Sequence, residues 1–196
     1  MRICVFLSAT STDERYAAPV RELAGLLASG GHDLVWGGSD AGLMKVLADA
    51  VQDAGGTLTG VSVESLRWVL REKLAANDEI VVTADLASRK AAMLARCDAV
   101  LVMPGGTGTL DELTDVMELK RHGVHRKPVV VVNVGGYYDG LAWQLRRMEE
   151  EGFLDLPADD VVRFAPDVRD AMAMIEAAAG DSAGPADGAA QRWGGG

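Results

Sequence analysis

The chain has 196 residues, 48% of them hydrophobic, enough to fill one core without disulfides or metal ions, and one domain is the expected organisation. Its formal charge of −10 argues against the broad Lys/Arg fields by which nucleic acids and anionic membranes are bound, so an anionic ligand would need a local site built from backbone. Only two cysteines are present; Cys4 and Cys97 adjoin apolar runs and read as buried, reduced thiols, and no Cys/His spacing suggests zinc.

The opening MRICVFLSAT is too short for a membrane span and lacks the layout of a signal peptide, which predicts a cytoplasmic protein. Residues 2–7 read as a strand. A helix over 13–28 follows, with Tyr16, Val20, Leu23 and Leu27 on one face and Gly30 and Gly31 as its stop. Further strands are expected at 33–36, 57–63, 80–82, 99–103, 129–132 and 161–164. Helices are expected between and after them at about 43–54, 66–74, 86–96, 110–122, 141–151 and 168–179. This alternation predicts an α/β fold, a Rossmann-like doubly wound parallel sheet spanning 1–179, with ligands at the carboxyl ends of the strands. From 180 to 196 the sequence GDSAGPADGAAQRWGGG lacks apolar periodicity and reads as a flexible tail.

Most of the functional signal lies in AVLVMPGGTGTLDE, residues 99–112. An apolar strand runs into Gly105, Gly106 and Gly108, and a helix carrying Leu110, Leu113, Val116 and Met117 follows. The glycines allow close backbone approach, the new helix points free N–H groups and its positive dipole end into the same space, and Thr107 and Thr109 add hydroxyls: the outline of a phosphate site. It is no P-loop, since no lysine follows Gly108. It is no dinucleotide fingerprint either, since Asp111 stands where the third glycine belongs, which disfavours an NAD-dependent oxidoreductase. Glu112 has a competing structural reading, because Thr109-Leu110-Asp111-Glu112 is also a capping box; Asp111 reads as a first-turn acid.

The loop PGGTGTLDE, preceded by the pair Arg89-Lys90 in LASRKAAML, resembles the LOG phosphoribohydrolases, a family often mislabelled lysine decarboxylases. WGGSDAGLM, with Gly37 and Gly38, the opening RICVF and NVGGYYDGL extend the similarity over about residues 2–178. The resemblance implies hydrolysis of the base–ribose bond of a nucleoside 5′-monophosphate, AMP or a cytokinin-type nucleotide, to free base and ribose 5-phosphate; no cofactor is expected, and no metal, since His32, His122 and His125 show no ligand spacing with acids. It implies Arg89 and Glu112 as the catalytic pair. The loop from Gly105 through Gly106, Thr107 and Gly108 to Thr109 would hold the phosphate, with Thr10, Gly38 and Lys90 beside it. A homodimer or an assembly of dimers is also implied, and the apolar density of SLRWVLREKL, with Leu66, Trp68, Val69 and Leu70, fits a helix with a second apolar face. Where the family has Met-His before Arg-Lys, this chain has Leu86-Ala87-Ser88, and Lys45 replaces a glycine after Gly-Leu-Met. These changes surround the base and leave its identity open. A non-catalytic nucleotide sensor or carrier on the same fold is the alternative.

Overall fold

A computed structural model describes residues 1–11 and 13–181; the expected tail lies outside the described residues from 182 onward. The strands are β1 (Arg2–Phe6), β2 (Asp33–Trp36), β3 (Leu58–Val63), β4 (Glu79–Thr83), β5 (Ala99–Val102), β6 (Val129–Val132) and β7 (Arg163–Ala165). They pair in parallel in the order β4-β3-β2-β1-β5-β6-β7. The helices are α1 (Glu14–Ser29), α2 (Gly42–Asp53), α3 (Leu86–Ala95), α4 (Thr107–Arg121), α5 (Asp139–Glu150), α6 (Ala158–Val161) and α7 (Val168–Asp181).

The strands alternate their side chains between two cores. Ile3, Val5 and Leu7 pack with Val20 and Leu23 of α1, Leu47 of α2 and Ile175 of α7. Cys4 and Phe6 face the other way, onto Met93 of α3, Leu113 of α4 and Leu145 of α5. Helices therefore cover both faces, and β1, β5 and β6 are buried almost throughout, as parallel strands under two helix layers must be.

Two expected elements differ. The last strand, expected over 161–164, begins only at Arg163 as β7, because residues 158–161 form the short helix α6, which follows Pro157 and is favoured by Asp159 and Asp160 in its first turn. Residues 66–74 form no α-helix: a 3-10 turn over Glu64–Val69 gives way to extended chain. That segment finds its backbone partners in the loop after β2 instead. Leu70 bridges Ser39, the Asp40 N–H donates to Val69 O at 2.8 Å, and the Arg71 N–H donates to Gly38 O at 3.0 Å. The two-faced apolar helix inferred from SLRWVLREKL therefore does not exist, although Trp68 is 81% exposed.

The order reverses beside β1, whose crossover leads to β2 on one side while β5 continues to β6 on the other. The loops leaving β1 and β5 diverge there, and the crevice between them is where ligands bind in such sheets.

Candidate active site

The glycine loop sits at this crevice. Gly106 is extended (φ −88°, ψ −158°) and caps α4, which begins at Thr107, three residues before the expected start. The first intrahelical bond runs from the Leu110 N–H to Gly106 O at 3.1 Å. The amides of Thr107, Gly108 and Thr109 thus precede the first intrahelical donor, and Gly106, Thr107 and Gly108 are exposed. A Cβ added at Gly106 or Gly108 would meet nothing within 4 Å, so no side chain crowds the loop at either position. Gly105 is different: a Cβ there would fall 2.1 Å from the Thr109 Oγ1, so buried Thr109 packs behind the loop rather than in front of it.

A cleft of about 220 Å3 opens on the loop, lined by Ser8, Thr10, Tyr16, Gly105, Gly106 and Tyr137 among others. The Ser8 Oγ accepts from the N–H groups of Thr10 (3.1 Å) and Ser11 (3.2 Å) and lies 3.0 Å from the Thr10 hydroxyl, which shapes the opposite lip. The Tyr137 hydroxyl donates to Gly105 O at 2.8 Å and the Tyr138 hydroxyl to Met103 O at 2.9 Å, so the GGYY segment buttresses the loop from below. Burial pushes the Tyr138 phenol well above its usual range, keeping it a donor. For Tyr137 and Tyr138 the sequence carries a signal, two aromatic residues directly after a Gly-Gly turn; for Tyr16, expected only on the apolar face of α1, and for Ser8 it carries none.

Arg89 and Glu112 meet although they lie on different helices. The Arg89 Nη1 donates to Glu112 Oε1 at 2.6 Å, with side chains 10% and 7% exposed. The Arg89 Nε donates to Val61 O of β3 at 2.8 Å, and a Cβ at Gly37 would lie 2.4 Å from Nη2. The guanidinium therefore rests on the Gly37 backbone, held by β3 and by Glu112. Because α4 starts at Thr107, Glu112 is six residues beyond the cap and does not bond back to the helix start; the capping-box reading gives way to the ion pair. Burial raises the Glu112 carboxyl above the ordinary glutamate value, and Arg89 opposes this without cancelling it. Glu112 lies about 9 Å along α4 from the Gly106 cap at 1.5 Å per residue.

The remaining candidates are placed as follows. Gly38, in the left-handed region at φ +73°, packs against Gly60 and lies behind the Arg89 seat. The Lys90 ammonium is turned to the flank of α4, pairing with Asp111 at 3.1 Å and Asp115 at 3.3 Å, so it ties α3 to α4; Asp111 is its partner rather than a first-turn acid. A larger cavity of about 500 Å3, among Lys120, Arg126, Arg163, Asp159 and Asp160, lies at the amino ends of β5 to β7, away from the loop and the ion pair. Among the described residues no group of His, Cys, Asp and Glu is arranged to hold a metal ion, and no helix is long and apolar enough to cross a membrane.

Comparison with known proteins places these residues in a family context. Residues 44–175 match the family model described as possible lysine decarboxylase. A cytokinin riboside 5′-monophosphate phosphoribohydrolase of Arabidopsis thaliana is 35% identical over 178 residues, covering 89% of this chain and 81% of that protein. A second Arabidopsis phosphoribohydrolase of the same description is 34% identical, over 89% and 82%. Among solved structures, the molybdenum cofactor binding protein of Rippkaea orientalis superposes with a TM-score of 0.68 at 19% identity, covering 90% of this chain and 95% of that one, a likeness of fold.

Proposed function

The chain belongs to the LOG phosphoribohydrolase family, and from that premise we propose that it hydrolyses the N-glycosidic bond of a nucleoside 5′-monophosphate, AMP or a cytokinin-type nucleotide, to free base and ribose 5-phosphate. The observation that carries this reading is the buried ion pair between Arg89 of α3 and Glu112 of α4, the helix whose first amides open onto the crevice.

The division of labour follows from charge. The amides at the start of α4 and the positive end of its dipole take the 5′-phosphate, with Thr107 in front, Thr109 and Gly105 behind and Thr10 on the facing lip. Cleavage develops positive charge on the ribose. The Glu112 carboxylate stabilises that cation, accepts hydrogen bonds from the sugar hydroxyls and orients the attacking water. Arg89 holds the carboxylate ionised and in place against the pull of burial, and a guanidinium does not serve as proton donor to the leaving base. Lys90 and Gly38 act behind the site, the first by joining α3 to α4 and the second by bringing the β2 loop onto β3.

Release of free base from a panel of nucleoside monophosphates, followed by chromatography, tests the proposal. Glu112→Gln is expected to lower the rate by about 10²- to 10⁴-fold while the protein stays folded. AMP is expected to be cleaved with a much higher kcat/KM than adenosine, because the phosphate anchors the sugar. A folded, nearly fully active Glu112→Gln would remove the catalytic assignment. Tight nucleotide binding with no base release would instead point to a carrier or sensor. The assembly is proposed to be a homodimer or a set of dimers, supported by the exposed Trp68, Trp143 and Phe153. A fully active species of 20.7 kDa in light scattering would refute it.

A further inference from the structure

We infer that Arg71 is a positioning residue for the Arg89–Glu112 pair, riveting the 64–73 strap to the 37–40 loop on which the Arg89 guanidinium rests; the inference builds on the catalytic reading of that pair.

In sequence, Arg71 sits in LREKL and looks like one more solvated cation. In the fold its side chain is 0% exposed and every arm of the fork is used. The Nη1 donates to Asp40 Oδ1 at 2.8 Å, the Nη2 to Asp49 Oδ1 at 2.7 Å and to Gln52 Oε1, and the Nε to Lys73 O at 3.0 Å. Lys45 approaches the same two carboxylates, Asp40 at 3.4 Å and Asp49 at 3.1 Å, so two cations balance two anions. A buried charge is tolerated only in such a fully paired network.

The network is not spread evenly over the fold. One end is α2, through Asp49 and Gln52; the other is the loop after β2, through Asp40, the Arg71 N–H on Gly38 O and the Ser39–Leu70 bridge. Besides this network the strap is tied to α2 by the Gln52 Nε2, which donates to Lys73 O at 3.1 Å, while residues 64–68 and 72–77 are exposed. The same loop begins at Gly37, where an added Cβ would lie 2.4 Å from the Arg89 Nη2. Arg71 thus fixes the loop from one side while Arg89 leans on it from the other. If the rivet is lost, the loop gains freedom, the guanidinium gains room and its hold on Glu112 slackens. Glu112 faces Arg89, with Lys90 and Asp111 further out and the Cys4 thiol of β1 nearby, so among these groups Arg89 is the principal one holding it ionised.

The test compares wild type, Arg71→Met and Arg71→Lys for kcat, KM and the pH profile of base release, with urea unfolding to confirm cooperative folding. Arg71→Met is expected to lower kcat by roughly 10- to 100-fold, as a misplacement of about 1 Å does, with a smaller change in KM and the acid limb moved to higher pH. Arg71→Lys, which restores charge without the fork, should recover part of the rate and part of the limb. An acid limb that stays in place, with activity reduced only by the unfolded fraction, would leave Arg71 a brace of the fold and overturn the inference. If Arg71→Met fails to fold, Asp49→Asn, which removes one anchor of the rivet, should move the limb in the same direction by less, and an unmoved limb overturns the inference equally. If Glu112→Gln is as active as wild type, the catalytic reading itself fails; if only the Arg71 variants leave the limb unmoved, that reading stands and this inference falls.

Discussion

Gly37→Ala tests the geometry of the pair without touching either charged side chain. An alanine Cβ would lie 2.4 Å from the Arg89 Nη2 and 2.9 Å and 3.0 Å from the Met44 Cε and Sδ, whereas ordinary contact begins at 3.4 Å. Met44 is flexible and can yield. The guanidinium cannot yield freely, because Val61 O holds its Nε at 2.8 Å and Glu112 its Nη1 at 2.6 Å. Clearing the methyl requires a shift of about 1 Å, which would stretch the bond to Glu112 to roughly 3.6 Å, beyond hydrogen-bond range. A charge-assisted bond of this type contributes about 1.5–3 kcal/mol, and a misplacement of about 1 Å at a reacting centre lowers rates by about 10²-fold. The expected result is therefore a kcat lower by about 10²-fold and a stability lower by about 1–3 kcal/mol, in the range of a small overpacking. Chromatographic rates of base release together with urea denaturation measure both. A folded Gly37→Ala enzyme with kcat within about threefold of wild type would refute the claim that this backbone seats Arg89.

Gly25→Ala serves as the opposite case: it lies exposed in the middle of α1, an added Cβ meets nothing within 4 Å, and urea denaturation should show about 0.5–1 kcal/mol of added stability with unchanged turnover. Because burial raises the Glu112 carboxyl and the proposed mechanism needs it ionised, kcat/KM should fall on the acid side with a midpoint above the ordinary glutamate value, a limb absent from the residual activity of Glu112→Gln. Linkage gives the sign for stability. A carboxyl raised in the folded state favours folding below its unfolded pKa and loses that contribution as pH rises through the folded one, so the Tm of wild type should fall relative to Glu112→Gln over that window. A difference between the two that does not vary with pH would contradict the assigned shift.

The sequence by itself determined the layering of this protein, since that rests on local periodicity. Apolar runs such as VVVV at 129–132 and the spaced face of α1 report burial wherever they are placed, and the resulting strands and helices alternate as a parallel sheet demands. The glycine turn at 105–108 was legible for the same reason: glycines between an apolar strand and a helical pattern mark a tight strand-to-helix connection. What the sequence left open is set by residues distant along the chain. Thr109-x-x-Glu112 has the pattern of a cap, and only the start of α4 at Thr107 and the arrival of Arg89 from another helix make Glu112 one half of a buried pair. Residues 66–74 have the composition of a helix, yet their backbone donors and acceptors are taken by the loop after β2, which turns the segment into a strap and buries Arg71 among Asp40, Asp49 and Gln52. A charge has no periodicity that announces its burial. Whether Arg71 and Arg89 are solvated or sealed depends on which carboxylates and glycines the sheet order brings beside them, and that is decided only when the strands have paired.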